Sequence, residues 1–231
     1  MTTSTVDTET TLRADDLHLT FGATPALRGA SLTVQAGESV ALMGPSGSGK
    51  STLLHCLAGI LAPDSGAVHV AGRLLAGLSE RERSGLRLRA MGLVFQNSDL
   101  VPELTLRENV ALPLQQLGVP HRQARGRATQ ALSEVGLDAE GDRTTGAVSG
   151  GQQQRAAVAR ALVHDPQVVF ADEPTGALDT VTGERMLELL LAGCAERGAS
   201  LLLVTHDHRV AAHADRLLVI RDGVVGWGEA P

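Results

Sequence analysis

Residues 39–52 read SVALMGPSGSGKST and join a short apolar run to a glycine-rich turn and the start of a helix. The turn has the spacing G-x-x-x-x-G-K-S, with Gly44, Gly49, Lys50 and Ser51 at its fixed positions. Glycines let the backbone wrap closely around an anion, because a Cβ atom would block the approach. The N–H groups of the turn and the helix N-terminus then face one concavity, which predicts a nest for phosphate groups.

Lys50 is the only lysine in the chain, and the rest of its 20 Lys and Arg residues are arginine. A compact ammonium on a thin stem can curl over the loop towards β- and γ-phosphates, where a planar guanidinium is too wide. Ser51 supplies a hydroxyl for Mg²⁺. The stretch therefore predicts a site where the shape of the cation matters as well as its charge.

Residues 168–173, VVFADE, are an apolar run that ends in two carboxylates. A buried strand that delivers an acid at its C-terminal end suits a magnesium site beside a phosphate nest. Asp172 would hold Mg²⁺ through water, and Glu173 would orient or deprotonate an attacking water. The alternative is a strand that merely ends in an acidic turn; pairing with the nest favours the metal site.

Residues 148–155, VSGGQQQR, form a second glycine-rich start of a helix, with Ser149 placed as its N-cap. The helix N-terminus and the Ser149 hydroxyl predict another anion site. Two phosphate-facing helix starts so far apart in one chain are unusual for an ordinary kinase or GTPase of this loop type.

Alternation of apolar runs and helical periodicity predicts an α/β fold with a mostly parallel sheet covered by helices. Residues 12–20 and 30–35 alternate as half-buried strands do, and the pattern is helical from about 97 to 164, which indicates an inserted subdomain. We expect a disordered tail at 1–11 and one domain at 12–228. Further strands are predicted at 39–44, 66–71, 91–95, 167–172, 200–205 and 216–225, and further helices at 50–59 and 180–197.

The motifs together resemble the ATP-binding subunits of ATP-binding-cassette (ABC) transporters. GPSGSGKST resembles Walker A, VSGGQ the family signature, and VVFADEP Walker B. Gln96 in VFQN sits at the Q-loop position, GALD at 176–179 resembles the D-loop, and His206 in VTHD the switch histidine. The match is in order over about 12–225. It implies the P-loop NTPase fold of ABC ATPases: a mostly parallel RecA-like core, an N-terminal antiparallel β subdomain and an inserted α-helical subdomain.

The resemblance also implies roles for individual residues. Phe21 sits where the family places the aromatic ring that stacks on adenine; the alternative is plain core packing. The implied catalytic residues are Lys50, Glu173 and His206, and the implied Mg²⁺ ligands are Ser51, Gln96 and Asp172. The implied ATP-binding residues are Phe21, Gly44, Ser46, Gly47, Ser48, Gly49, Lys50, Ser51, Thr52, Gln96, Ser149, Gly150, Gly151, Gln152, Asp172 and Asp179.

In the family two subunits face each other head to tail, so the expected partner is a second copy or a homologous ATPase subunit. Each ATP would lie between Walker A of one subunit and residues 149–152 of the other, with Asp179 near the dimer axis. Val148, Gly176 and Phe21 replace the usual leucine, serine and tyrosine. No catalytic group is lost, so both sites of a homodimer are expected to hydrolyse ATP.

The amino-acid sequences of these motifs resemble those of the subfamily of lipoprotein-releasing and macrolide-exporter-type ATPases. The resemblance implies an ATPase on the cytoplasmic face of the plasma (inner) membrane that powers a separate permease, as an exporter or lipid extractor. The surface at about 98–110 would receive the coupling helix of the permease. The alternative is a non-transport mechanotransmitter of the cell-division type, which has the same catalytic residues.

A third class, ATPases acting on DNA or ribosomes, is disfavoured by composition. The net charge is −6, whereas phosphate backbones need a clustered positive field. The arginine-rich stretches at 81–89 and 121–127 are interpreted as solvated helix faces. No apolar run approaches the roughly 18–20 residues of a membrane span. Cys56 and Cys194 follow apolar stretches and are predicted to be buried, reduced thiols.

Overall fold

The computed structural model describes residues 10–227 as two sheets with helices packed against them. The strands are β1 (Thr10–Phe21), β2 (Thr24–Gln35), β3 (Ser39–Met43), β4 (Ser65–Val70), β5 (Arg73–Leu74), β6 (Met91–Val94), β7 (Val168–Asp172), β8 (Ser200–Val204), β9 (Arg216–Arg221) and β10 (Val224–Trp227). The helices are α1 (Lys50–Leu57), α2 (Glu80–Ala90), α3 (Leu106–Gln116), α4 (His121–Glu134), α5 (Gly150–Leu162), α6 (Thr180–Arg197) and α7 (His208–Ala211), with a 3₁₀ turn at Thr145–Ala147. The expected tail lies outside the described residues, except that Thr10 and Thr11 belong to β1.

The smaller sheet is antiparallel and has the strand order β2-β1-β4-β5. Its first strand is interrupted by a bulge between Ala14 and Leu17, where Asp16 has a φ of 49°. A bulge adds one residue and so changes which residues face the core. Alternation therefore buries Leu12 and Ala14 before the bulge, and Leu17 and Leu19 after it. The two predicted strands are present, and β2 extends back to Thr24 as a hairpin.

The larger sheet has the order β10-β9-β3-β8-β7-β6, and all its pairs are parallel except that of β9 with β10. Helices cover it, as strands buried on both faces require. The loops after β3, β7 and β8 leave the sheet from adjacent C-terminal ends, the edge where α/β proteins bind ligands. The turn at Asp222-Gly223 between β9 and β10 lies where the sequence placed it.

Helices α3, α4 and α5 lie between β6 and β7, within the segment at 97–164 that was predicted to be helical. They enclose a hydrophobic cluster of their own, which includes Leu106, Leu114 and Leu132. Helix α5 also contributes Val158 and Leu162 to a cluster under the large sheet. It therefore joins the insert to the core.

The approach of α5 to the sheet depends on a glycine. A Cβ atom at Gly92 in β6 would lie 2.4 Å from the carbonyl oxygen of Ala161, which is backbone and cannot give way.

The two cysteines are buried as predicted, and burial raises the pKa of the Cys56 thiol to about 11. No helix within residues 10–227 has the length and apolar character needed to cross a bilayer.

We expect Gly92→Ala to lower the free energy of unfolding by about 1–3 kcal/mol, because the added methyl forces α5 away from β6. Gly126→Ala is the matched control. Gly126 is exposed inside α4 with nothing near its Cβ position, so alanine should stabilise by roughly 0.5–1 kcal/mol. Urea unfolding of both variants checks the pair, and equal effects of the same sign would contradict the packing argument.

Candidate nucleotide-binding and catalytic site

The glycine-rich loop follows β3 and ends at Gly49, the N-cap of α1. Gly49 has a φ of 103°, and a Cβ atom there would lie 2.6 Å from the carbonyl oxygen of Ala26. A Cβ atom at Gly44 would lie 2.3 Å from the carbonyl oxygen of Ile220. Both glycines are therefore required by close backbone approach as well as by the anion nest.

A second element holds the loop from behind, and the sequence did not reveal it. Gly223, in the turn between β9 and β10, donates its N–H to the Ser48 carbonyl (3.1 Å) and accepts from the Arg28 N–H (2.9 Å). A Cβ atom at Gly223 would lie 2.7 Å from the Ala26 carbonyl oxygen. The turn was predicted from Asp222-Gly223, but nothing in the sequence linked it to the loop.

Lys50 lies over the loop as the shape argument predicted. Its Nζ donates to the carbonyl oxygens of Gly44 (2.8 Å) and Pro45 (2.9 Å), and the residue is 9% exposed. The ammonium thus lies in a groove that is lined by the loop and the start of α1, by one earlier residue and by two later residues: Ala26, Gly44, Pro45, Ser46, Gly47, Gly49, Lys50, Ser51, Thr52, Glu173 and His206. Ser48 is buried behind this surface.

Asp172 ends β7 beside the start of α1. Burial raises the pKa of its carboxyl, and a hydrogen bond with Ser51 opposes that rise. Its Oδ1 is buried and has no hydrogen-bond partner among the described residues. An unsatisfied carboxylate oxygen next to a hydroxyl fits a hard cation such as Mg²⁺, which prefers oxygen ligands. The arrangement suits Asp172 and Ser51 as holders of the metal of a Mg²⁺–nucleotide.

Glu173 and His206 form a pair at the same groove. Nδ1 of His206 lies 2.8 Å from both carboxylate oxygens of Glu173. The His206 side chain is 72% exposed, whereas that of Glu173 is 19% exposed. Glu173 has a φ of 46°, a left-handed conformation that costs roughly 1–3 kcal/mol and is typical of functional sites. The carboxylate is therefore held towards the nest by the backbone and by the histidine.

Gln96 does not line this groove. It is exposed after β6, and its Nε2 lies only 2.9 Å from where a Cβ atom of Gly176 would be. The side chain thus rests beside the segment at 176–179, in space left by the glycine that replaces the usual serine. The expected role of Gln96 as a Mg²⁺ ligand beside Ser51 and Asp172 stays a prediction.

The residues at 149–152 lie on another surface. Ser149 caps α5 as predicted: its Oγ accepts from the Gln152 N–H, and the Gln152 side chain accepts from the Ser149 N–H at 2.8 Å. A Cβ atom at Gly151 would lie 2.9 Å from Cγ2 of Thr182, so α5 starts against the start of α6. Asp179 caps α6 by accepting from the Thr182 N–H. None of these residues lines the groove around Lys50.

Phe21 ends β1 and is 54% exposed. The alternative of plain core packing is therefore wrong. The side chain is therefore accessible, as stacking on a base requires.

A family model described as ABC transporter matches residues 27–176. The lipoprotein-releasing system ATP-binding protein LolD of Xanthomonas campestris pv. campestris is 45% identical over 216 residues, which cover 92% of this chain and 90% of that protein. LolD of Bordetella pertussis is 46% identical over 221 residues, covering 94% and 96%.

Comparison with solved structures agrees with the sequence comparisons. A dimeric ATP-binding cassette in a post-hydrolysis state, bound to ADP and Pi, has a TM-score of 0.86 at 35% identity and covers 95% of this chain and 98% of its own. The cbiO1 protein of Clostridium perfringens, part of the transporter complex cbiONQ, has a TM-score of 0.86 at 30% identity, with coverage of 96% and 89%. These matches confirm the fold and family that the motifs predicted: the chain belongs to the ABC transporter family and is an ATP-binding-cassette ATPase.

Proposed function

We propose that two copies of this chain assemble head to tail, hydrolyse Mg²⁺–ATP at sites shared between them, and drive a separate membrane permease of the lipoprotein-release type. The observation that carries the proposal is the separation, within one chain, of two elements that are predicted to bind phosphate. The groove of Lys50, Glu173 and His206 is open, while the second anion-binding helix start at Ser149 lies on a different surface. A second copy would complete each groove with the Ser149 end of α5.

Within the groove, the loop amides and Lys50 bind the phosphates, and Ser51 together with the neighbouring Asp172 would hold the metal. Bound Mg²⁺ would neutralise charge on the phosphate oxygens. Glu173 accepts the proton of the attacking water, since its carboxylate already faces the loop. His206 restrains that carboxylate through Nδ1, and its exposed ring would contact the γ-phosphate. Phe21 offers its free face to the base.

The second half-site works through a helix terminus. The first N–H groups of α5 and its partial positive charge attract the γ-phosphate held by the other copy. Gly150 has nothing near its Cβ position, so a nucleotide can approach the backbone there. Asp179 and Gly151 adjoin this surface, which favours their contact with the same partner.

The permease would bind at a groove between α2, β6, α3 and α5, next to residues 98–110. Its lining mixes apolar Leu88, Leu93 and Phe95 with Arg87 and Arg160. Such a surface suits an amphipathic helix from a membrane subunit. The LolD relatives are named for lipoprotein release, so the proposed cargo is a lipid-anchored protein and the place of action is the cytoplasmic face of the inner membrane.

The permease is tested by purifying tagged Glu173→Gln from detergent-solubilised membranes with Mg²⁺–ATP. Blocked hydrolysis should trap the closed complex, so a multi-span protein should co-purify at matching stoichiometry. A partner whose extracytoplasmic domain binds lipoproteins supports the transport role. A partner that instead controls a cell-wall enzyme would replace transport by mechanotransmission, and a soluble dimer alone would contradict the permease.

Glu173→Gln should lower steady-state ATP turnover by about 10²- to 10⁴-fold, because the general base is lost while the shape is kept. ATP binding should persist. Glu188→Gln, an exposed carboxylate on the outer face of α6, is the control and should turn over ATP normally. Phosphate release assays measure both, and wild-type turnover by Glu173→Gln would refute the assigned role.

Lys50→Arg should weaken ATP binding by about 10- to 100-fold although the charge is retained, because a guanidinium cannot reproduce the two bonds to the loop carbonyls. Equilibrium binding of a fluorescent ATP analogue gives the affinity. The control is Arg185→Lys, which makes the opposite substitution on the exposed side of α6, away from the site. This variant should bind ATP as the wild type does. Unchanged affinity in Lys50→Arg would show that charge alone suffices.

A mixing experiment tests the shared site. Lys50→Ala removes one half-site and Ser149→Glu the other, so each variant alone should be inactive. A mixed dimer keeps one complete site, formed by Lys50 of the Ser149→Glu copy and Ser149 of the Lys50→Ala copy. ATPase activity should therefore rise above both on mixing. Persistent inactivity of the mixture would contradict the head-to-tail arrangement.

A further inference from the structure

The two arginine-rich stretches of the sequence border the groove proposed for the permease. Helix α2 contains the first stretch and contributes Ser84 and Leu88 to the lining of that groove. Helix α3 contributes Gln116 to the same lining. The second stretch begins beside this residue, because Nε2 of the neighbouring Gln115 lies 3.2 Å from Nδ1 of His121, the first residue of α4. The groove therefore lies between the two stretches.

Helix α2 carries two arginines on its outward side. Arg81, Gly85 and Arg89 follow one another at intervals of four residues, and both arginines are exposed. A Cβ atom at Gly85 would lie 3.2 Å from a guanidinium nitrogen of Arg89, so this side chain folds back along the helix towards Arg81. Arg81 also lies two turns before Leu88, on the side of the helix that borders the groove. Like charges on one side of a helix repel each other, and an anionic partner would relieve that repulsion.

The acidic side chains of α2 do not neutralise this side of the helix. Glu80 forms ion pairs with Arg83 and Arg87. Glu82 accepts from the N–H and the hydroxyl of Ser79 in the capping box of the helix. The two outward arginines have no ion-pair partner in the described part of the chain. Their positive charge is therefore available to another molecule.

The second stretch contributes one further free charge. Arg125 is paired with Asp142 at 3.2 Å, and Arg127 with Asp165 at 2.7 Å. Arg122, in the first turn of α4, is exposed and has no ion-pair partner among the described residues. Unpaired guanidinium groups thus stand on both sides of the groove.

We propose that Arg81, Arg89 and Arg122, here called the arginine surface, bind anionic lipid headgroups of the membrane that holds the permease. A permease bound in the groove places the membrane on this side of the chain, so the inference rests on the function proposed above. None of the three arginines lines the groove itself. A helix bound in the groove would therefore leave them facing the bilayer, which favours lipid over an acidic surface of the permease.

The charge of the whole chain gives this surface a purpose. The net charge is −6, so an anionic leaflet repels the protein as a whole. Arginines at the point of approach reverse that repulsion locally, because the attraction of each to an anionic leaflet acts within about one Debye length. The arginine surface would thus orient the chain with its permease groove towards the membrane.

Flotation of the full-length chain with lipid vesicles measures the contact without any permease. Vesicles of phosphatidylcholine with phosphatidylglycerol should bind the chain about 10- to 100-fold more tightly than phosphatidylcholine alone, since each arginine contributes about fivefold. High salt should abolish the difference, because it screens exposed charges. Equal binding to both kinds of vesicle at low salt would overturn the inference.

Matched variants locate the contact. Arg81→Gln/Arg89→Gln should lower the affinity for anionic vesicles by about 10- to 30-fold, and Arg122→Gln by about fivefold. The control Arg143→Gln/Arg185→Gln removes two exposed arginines outside the arginine surface and should bind as the wild type does. An equal loss in both pairs would show that only net charge matters and would overturn the inference. Both pairs should keep wild-type ATP turnover in solution, which verifies that they fold.

Capture of the permease separates the lipid contact from the function beneath it. If Arg81→Gln/Arg89→Gln lowered recovery of the permease by Glu173→Gln in detergent but left vesicle binding unchanged, the arginines would contact protein, and the lipid inference alone would fail. If vesicle binding depended on these arginines but Glu173→Gln captured no membrane protein, the lipid contact would be supported and the permease contradicted.

Discussion

The close contact between the glycine-rich loop and two neighbouring backbones is the constraint on which the site depends. Gly44 and Gly49 face the carbonyl oxygens of Ile220 and Ala26 at distances that exclude any side chain. The loop is therefore wedged between the end of β9 and the start of β2, which belong to different sheets. Because close-packed interiors transmit strain, a change in either sheet moves the phosphate nest.

This contact of the loop with both sheets explains why the antiparallel sheet and the parallel core act together. Gly223 bonds to Ser48 on one side and to Arg28 on the other, so the last hairpin ties the loop to β2. Phe21, at the end of β1, then has a fixed relation to the loop. In the proposed site, the base and the phosphates of one nucleotide would be bound by two different sheets, which these contacts hold together.

Much of this was accessible from the sequence, because it follows from local periodicity and from sheet geometry. The helix at 180–197 has the predicted limits, and the strand ending in Asp172 begins at Val168, one residue later than predicted. Parallel strands bring their C-terminal ends to one edge, which is why Lys50 and Glu173 lie at one groove. The place of His206 at this groove was implied only by the resemblance to the ABC family. The bulge at Asp16, the Gly223 bridge and the resting position of Gln96 could not be predicted, because they depend on contacts between backbones far apart in sequence.

Helix α5 contacts several parts of the structure along its length. Its first turn is capped by Ser149 and Gln152, its middle is buried beneath the insert, and Ala161 touches Gly92 of the sheet. A helix anchored at both ends cannot adjust its first turn independently of the sheet. Polar side chains of α5 donate hydrogen bonds to the backbone at 95–99. These bonds are needed because amide and guanidinium groups that are removed from water are costly unless they are hydrogen-bonded. Gln154 and Arg160 satisfy that requirement on the carbonyl oxygens of Phe95, Ser98 and Asp99, so the segment that follows β6 is fixed to the same helix that Ser149 caps.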